Sequence, residues 1–237
     1  MRQPRRPTLS RAARWSKRTD DLVRYVALTC GPSFRSELGH WIEDSPRFGA
    51  FVDVNRDKIR KKFRNADGAE GRLDVRSELR VARLLLSDRR FEVAFEGFGA
   101  RRPGPDLTVT YRVNQRFNLE VTRVRVAADA GRLGNLVTAK LRQLPPELPN
   151  ALVIAGRELA ITETEVAQAA RLLKTHNDSS DDAFFERRGL GGARDFYAHF
   201  LRLSGVLVLD EARAPLFWAN PEARRPLPAE VVARLVA

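Results

Sequence analysis

The sequence pattern places three acidic residues, Glu78, Asp106 and Glu120, at positions where a carboxylate is unusual. Glu78 lies in a predicted helix over 77–87, and a helical wheel places it in the apolar stripe of that helix. The same stripe contains Val81, Ala82, Leu85 and Leu86. Carboxylates gathered at one place are typical ligands of a divalent metal ion. Alternatively, Glu78 is a first-turn residue that bends out to water and interacts with the helix dipole.

The other two carboxylates belong to a predicted β-hairpin. Residues 106–113 and 117–124 alternate between polar and apolar side chains, which is typical of half-buried strands. A turn near Asn114 and Gln115 allows a register in which Asp106 lies opposite Thr122 and Glu120 lies on the diagonal. Neighbours of this kind are about 4.5 to 8 Å apart at Cβ, close enough to share one ion. The alternative is an ordinary solvated sheet face.

These residues resemble the PD-(D/E)XK nuclease superfamily. Pro105 and Asp106 stand for the PD motif, Glu120 begins the (D/E)XK motif, and Glu78 matches an acidic residue on the preceding helix. The predicted elements also follow the order helix, strand 91–95, two motif strands, helix, strand 151–155. The resemblance implies an α/β fold with a restriction-endonuclease-like αβββαβ core, a mixed central sheet and an N-terminal helical extension.

The resemblance also implies a metal site and a reaction. Asp106, Glu120 and the main-chain carbonyl of Val121 would hold Mg²⁺ or Mn²⁺, with Glu78 in its outer shell or on a second ion. The reaction would be cleavage of a DNA phosphodiester bond, so that the chain would be a Mg²⁺-dependent endonuclease.

One position departs from the family pattern. Thr122 stands where the family has a lysine that positions the attacking water, a role that a neutral hydroxyl cannot fill. Some family members bring this lysine from the following helix. On the wheel of residues 133–144, Lys140 falls inside the apolar stripe and Gln143 lies at its edge. Lys140 and Gln143 are therefore candidate catalytic residues, whereas a lysine stem that snorkels to the surface is the alternative.

Composition indicates a polyanionic partner. The chain has 237 residues, 43% of them hydrophobic, and a formal net charge of +12. Such a charge favours nucleic acid, and we expect DNA, with no membrane partner, while a homodimer is left open. A single cysteine fits a reducing compartment, and we expect a cytoplasmic protein. The sequence contains neither a phosphate-binding P-loop nor a GxSxG nucleophile motif, which argues against ATP-dependent and serine-hydrolase chemistry.

Charge and element patterns divide the chain into three parts. Residues 1–18 form a basic flexible arm, 19–70 a helical accessory region and 71–237 the nuclease-like domain. Helices are predicted over 19–28, 33–43 and 48–65. The last of these carries a cluster of candidate phosphate contacts, namely Arg56, Lys58, Arg60, Lys61, Lys62 and Arg64. A solvated helix face is the alternative for this cluster.

The second half of the chain adds further predicted elements. A capping box formed by Thr162 and Glu165 starts a helix over 162–175. Residues 176–192 are predicted to form a mobile loop in which Phe184 and Phe185 act as a flap. A helix over 193–203, a strand over 205–209 and a tail helix over 228–236 complete the prediction.

Three functions are compatible with the sequence. The leading one is metal-dependent cleavage of DNA. The second is a nuclease-like protein that binds nucleic acid but has lost catalysis together with the motif lysine. The third is a structural or regulatory partner subunit whose basic surface contacts an acidic protein.

Overall fold

A computed structural model of the chain describes residues 16–96, 104–124 and 129–237, in which six strands form one mixed sheet. The strands are β1 (Phe91–Phe95), β2 (Leu107–Tyr111), β3 (Gln115–Arg123), β4 (Asn150–Gly156), β5 (Leu203–Asp210) and β6 (Leu216–Ala219). Their order in the sheet is their order in the sequence. The β3–β4 and β4–β5 pairs are parallel, and the others are antiparallel. The prediction of an α/β fold with a mixed sheet is confirmed at this level.

Ten helices surround the sheet in the described part of the chain. They are α1 (Lys17–Val26), α2 (Pro32–Asp44), α3 (Pro46–Val54), α4 (Arg56–Asn65), α5 (Gly68–Leu86), α6 (Ala130–Leu141), α7 (Glu163–Asp178), α8 (Asp182–Glu186), α9 (Ala193–Phe200) and α10 (Ala229–Leu235). Proline at the first position begins α2 and α3, where its missing N–H has no helical partner to lose. The predicted capping box of Thr162 and Glu165 begins α7.

Each face of the sheet has its own hydrophobic core because side chains alternate along a strand. The first core joins one face of β1–β5 to α1–α5 and α10, and it includes Leu38, Phe63, Leu79, Leu107 and Leu119. The second core joins the other face to α6–α9. The helices that precede α5 therefore share a core with the sheet. None of the described helices is long and apolar enough to cross a membrane.

The β2–β3 hairpin has a different register from the predicted one. Leu107 pairs with Leu119 and Tyr111 with Gln115, so the register is shifted by two residues and places Asp106 beside Glu120. The turn consists of Arg112, Val113 and Asn114, with Arg112 at a φ of +56°. A two-residue shift leaves every side chain on its predicted face, which is why hydrophobic alternation cannot distinguish the two registers.

Three other predictions are corrected. The predicted helix over 48–65 is two helices that meet at Asn55. The predicted loop over 176–192 contains the end of α7 and the short α8. Phe184 and Phe185 are buried in the second core, with Phe185 stacked on Phe196 at 4.4 Å, so they are packing residues and form no flap. Most of the predicted basic arm, residues 1–15, lies outside the described residues.

Candidate active site

Asp106 immediately precedes β2 and is fixed against the neighbouring strand β3. Its Oδ2 accepts a hydrogen bond of 2.9 Å from the main-chain N–H of Val121. The main chain at Asp106 is fixed as well, because its carbonyl accepts a hydrogen bond from Glu96 N–H at the end of β1. The Asp106 carboxylate is therefore positioned from both sides, next to the part of β3 that carries Glu120.

Glu78 approaches the same place from α5. It lies in the apolar stripe of this helix, and only 5% of the residue is exposed. Its Oε2 accepts a hydrogen bond of 2.5 Å from Lys62 Nζ, and the same ammonium group donates to Asp106 Oδ1 at 2.7 Å. Lys62 thus bridges two of the three predicted carboxylates.

Glu120 lies on β3, on the face of the sheet that α6 covers. The residue is 1% exposed, and its Oε1 accepts a hydrogen bond of 2.7 Å from Lys140 Nζ. With its amide nitrogen turned toward the carboxylate, Gln143 donates to both Glu120 oxygens, at 3.1 Å to Oε2. The structure therefore brings Lys140 and Gln143 to Glu120.

Burial and mutual repulsion strongly perturb the carboxylates. Burial raises the pKa of Glu120 to about 7, with a further increase from the charge of Asp106 and an opposing effect of Lys140. Burial also raises the pKa of Glu78 well above its ordinary value, and Asp106 adds to the increase while Lys62 opposes it. Carboxyl groups whose pKa is raised in this way are more typical of functional sites than of purely structural ones.

Lys62 remains a cation despite its location. Burial alone would lower its pKa, but the charges and hydrogen bonds of Glu78 and Asp106 together raise the pKa above the ordinary value for lysine. Its side chain is 23% exposed, and it also lies 3.6 Å from Glu96 Oε1. The ammonium group is therefore a positive charge held inside an acidic pocket.

We call this site the acid pocket and define it as Glu78, Asp106 and Glu120 with Lys62 and Lys140. The other predicted site residues lie around it in different ways. Val121 contributes a main-chain N–H to Asp106. Thr122 follows on β3, opposite Ile154 of β4. Within the described ranges, no group of three or more His, Cys, Asp or Glu side chains is arranged to hold a metal ion. The oxygen donors nevertheless have the chemistry that Mg²⁺ and Mn²⁺ prefer.

The six basic residues of the cluster on α4 point in different directions. Lys58 Nζ donates to the carbonyls of Phe95 and Glu96, at 2.9 and 3.3 Å, and so holds the end of β1. The guanidinium groups of Arg56 and Arg60 lie over the ring of Tyr25, at 5.9 and 4.4 Å. Lys61 and Arg64 are exposed. Lys58 and Lys62 thus bind protein groups, whereas Lys61 and Arg64 face outward.

A second feature of the structure, a cavity, was not predicted from the sequence. A cavity of about 1050 Å³ lies beside α5 and the ends of β3, β4 and β5. Seven arginines line it, namely Arg47, Arg76, Arg80, Arg83, Arg89, Arg123 and Arg157, against three acidic residues, Asp44, Asp210 and Glu211. Several of these arginines form ion pairs within the protein, such as Arg76 with Glu37 at 2.6 Å. The sequence offered no local signal for this cavity, because its arginines are spread over more than 100 positions.

Sequence reasoning assigned Lys62 to a nucleic-acid-binding surface and missed its place in the acid pocket. The sequence contains only a weak indication that Lys62 faces the acid pocket. On the α4 wheel, Lys62 lies about 60° from Ile59 and about 100° from Phe63, at the edge of the buried stripe.

Comparison with protein-family profiles, curated proteins and solved structures gives no significant match, so the acid pocket itself carries the functional argument.

Proposed function

We propose that this protein is a metal-dependent nuclease that cleaves DNA phosphodiester bonds with a restriction-endonuclease-like core. The observation that carries the proposal is the convergence of Glu78, Asp106 and Glu120 from one helix and two strands. The element order α5, β1, β2, β3, α6, β4 supports it, since this is the αβββαβ order that the motif resemblance implies. Structural stability alone does not explain three neighbouring carboxylates, two of them buried and Asp106 half-buried, that are held there at a cost in desolvation.

Asp106 and Glu120 would hold a Mg²⁺ or Mn²⁺ ion, with Glu78 and the Val121 carbonyl as further oxygen donors. When bound, such an ion lowers the pKa of water and neutralises charge that develops on the phosphate. Lys140 then takes the role that Thr122 cannot fill. Its ammonium group lies 2.7 Å from Glu120 and would orient the attacking water and stabilise phosphate charge, with Gln143 helping to fix Glu120.

DNA as the substrate is supported by charge. The chain carries a formal net charge of +12. Lys61 and Arg64 face outward from α4, the helix that also delivers Lys62 to the acid pocket. The arginine-lined cavity beside α5 adds positive charge on the other flank of the helix that carries Glu78. Phosphate contacts from these groups would make DNA binding fall as salt is raised.

The direct test is nicking of supercoiled plasmid DNA in the presence of Mg²⁺ or Mn²⁺. Glu120→Ala should abolish nicking, by at least about a hundredfold, because it removes a metal ligand and the partner of Lys140. Glu92→Ala is the matched control, since Glu92 is exposed on β1 and should leave nicking unchanged. Circular dichroism verifies that both variants remain folded. Full metal-dependent nicking by folded Glu120→Ala would refute the proposal.

A catalytically inactive nucleic-acid-binding protein is the second candidate. The observation that favours it is the neutralisation of the carboxylates by two lysines of the chain itself, at distances of 2.5 to 2.7 Å. This candidate predicts salt-sensitive DNA binding that does not depend on Mg²⁺ and no cleavage by the wild-type chain. The same plasmid assay, combined with a DNA-binding titration with and without Mg²⁺, separates the two candidates.

A further inference from the structure

The ammonium group of Lys62 lies between two carboxylates that the proposed function assigns to a metal ion. It is 2.5 Å from Glu78 Oε2 and 2.7 Å from Asp106 Oδ1. The contact with Asp106 is in the range of charge-assisted hydrogen bonds, and the contact with Glu78 is shorter still. A cation that binds Glu78 and Asp106 together must therefore compete with Lys62 for the same oxygen atoms.

The formal charge of the acid pocket favours a divalent ion over the ammonium group of Lys62. The acid pocket contains three carboxylates and two ammonium groups, so one negative charge remains when all five groups are ionised. Replacing Lys62 by a divalent ion would bring the formal charge to zero. In a pocket where Glu78 and Glu120 are 5% and 1% exposed, an uncompensated charge is costly, and its neutralisation favours the exchange.

The structure also provides a place for the displaced ammonium group. Glu96 Oε1 lies 3.6 Å from Lys62 Nζ, and the Glu96 side chain is 43% exposed, compared with 7% for Glu78. The ring of Phe95 lies 5.2 Å from the same nitrogen. A rotation about the Lys62 side chain can therefore carry its charge toward water without leaving it unpaired.

We propose that Lys62 is the resident counter-ion of the acid pocket and that a divalent metal ion enters by displacing its ammonium group from Asp106. This inference rests on the proposed function, because it concerns the same pocket. The displaced Lys62 then lies at the mouth of the pocket beside Glu96, where it acts as a positioning residue for a phosphate group. Metal binding thereby exposes a positive charge at the point where the DNA backbone would approach.

The first test compares Mn²⁺ binding by the full chain and two variants, measured by isothermal titration calorimetry with the metal alone. Lys62→Gln removes the competing charge, and we expect at least about fivefold tighter binding, the lower end of common coupling strengths. Lys61→Gln is the matched control, because it makes the same substitution at the neighbouring exposed position and should bind Mn²⁺ like the wild type. Binding by Lys62→Gln no tighter than by Lys61→Gln would overturn the inference.

The second test uses the wild-type chain and so does not depend on the folding of a variant. Lysines are labelled briefly with an amine-reactive ester, with and without Mn²⁺, and the extent of labelling at each position is read by mass spectrometry. Mn²⁺ should increase labelling of Lys62 several-fold, while labelling of exposed Lys61 should not change. Unchanged labelling of Lys62 under conditions where calorimetry shows Mn²⁺ bound would also overturn the inference.

Different outcomes would refute the exchange of Lys62 and the metal-dependent function. If the wild-type chain binds Mn²⁺ but Lys62 neither competes with it nor becomes exposed, the exchange is wrong and the metal-dependent nuclease stands. If neither the wild type nor Lys62→Gln binds Mn²⁺, the metal-dependent function is wrong, and the exchange falls with it.

Discussion

Two sets of polar side chains are buried in the β2–β3 region, only two residues apart along each strand, and they are stabilised in different ways. One set is a polar ladder of Thr108, Asn118 and Asn150, in which Thr108 donates to Asn118 and Asn118 donates to Asn150, both at 3.0 Å. The other set is the acid pocket, with Asp106 and Glu120. Both sets lie where the sheet is covered by helices.

The polar ladder is neutral, and its hydrogen bonds are made among its own side chains and with nearby main-chain carbonyls. Its members bond to one another, and Asn150 Nδ2 also donates to the carbonyls of Pro145, Leu148 and Arg202. The acid pocket instead needs cations from α4 and α6, which are far away in the sequence. Buried neutral groups with satisfied hydrogen bonds stabilise a fold, whereas buried charges usually cost stability and are retained for function. Under the proposed function, the ladder contributes stability and the acid pocket contributes chemistry.

The largest expected effect on stability comes from breaking the ladder. Asn150→Ala should lower the free energy of unfolding by about 3 to 5 kcal/mol, because Asn150 is fully buried and several partners would be left unsatisfied. Urea denaturation measures the change. Asn65→Ala, at an exposed position, is the control and should change stability by less than about 0.5 kcal/mol. A loss below about 1 kcal/mol for Asn150→Ala would contradict the structural role of the ladder.

The next effect comes from removing a cation from the acid pocket. Lys62→Met should lower the free energy of unfolding by about 2 to 3 kcal/mol at pH 7, because it leaves Glu78 and Asp106 without their counter-ion. The expected loss is below that of a fully buried pair because the Lys62 side chain remains 23% exposed.

A second substitution sharpens this prediction. Adding Glu78→Gln to Lys62→Met removes one of the two unpaired carboxylates and should restore at least half of the lost stability in urea denaturation. No recovery in the double variant would mean that Lys62 stabilises the fold through packing of its stem and not through its charge.

The smallest effect is a pH dependence of the metal-free protein. The pKa of Glu120 is raised to about 7 from an ordinary value of 4.5, so the folded chain holds this proton more tightly than the unfolded chain. The resulting stabilisation is complete below about pH 4.5 and is lost as the pH rises through about 7. In EDTA, Glu120→Gln should flatten this decline by about 1 to 2 kcal/mol, whereas Glu92→Gln should leave it unchanged. A decline of equal size in wild type and Glu120→Gln would assign the pH dependence to other groups.

Much of the fold could be predicted because it depends on local patterns. Strand β1 occupies 91–95 as predicted, and β4 extends the predicted strand over 151–155 by one residue at each end. Helices α2 and α3 begin at Pro32 and Pro46, within two residues of the predicted starts at 33 and 48. The hairpin register could not be predicted in the same way, because it depends on the left-handed conformation of Arg112, which is not a glycine.

The candidate site was predictable only where its residues share a motif or a helix face. Glu78 in an apolar stripe and Asp106 with Glu120 on one strand face are visible in the sequence, and so is Lys140 on α6. Lys62 is different, since it is 16 residues from Glu78 and 44 from Asp106. Its place in the pocket follows from the packing of α4 through Ile59 and Phe63, which are 0% and 1% exposed. The hydrophobic periodicity of the sequence does not predict against which elements α4 packs.

Two of the three lysines of α4, Lys58 and Lys62, limit how the chain can be shortened. Lys58 holds the carbonyls at the end of β1, and Lys62 neutralises the carboxylates of α5 and β2. A truncation that begins at α5 would retain every predicted motif carboxylate but would leave Glu78 and Asp106 without the counter-ion Lys62. It would also remove the part of the first core that α1–α4 contribute. Under the proposed nuclease function, a minimal catalytic fragment must therefore include the helices before α5.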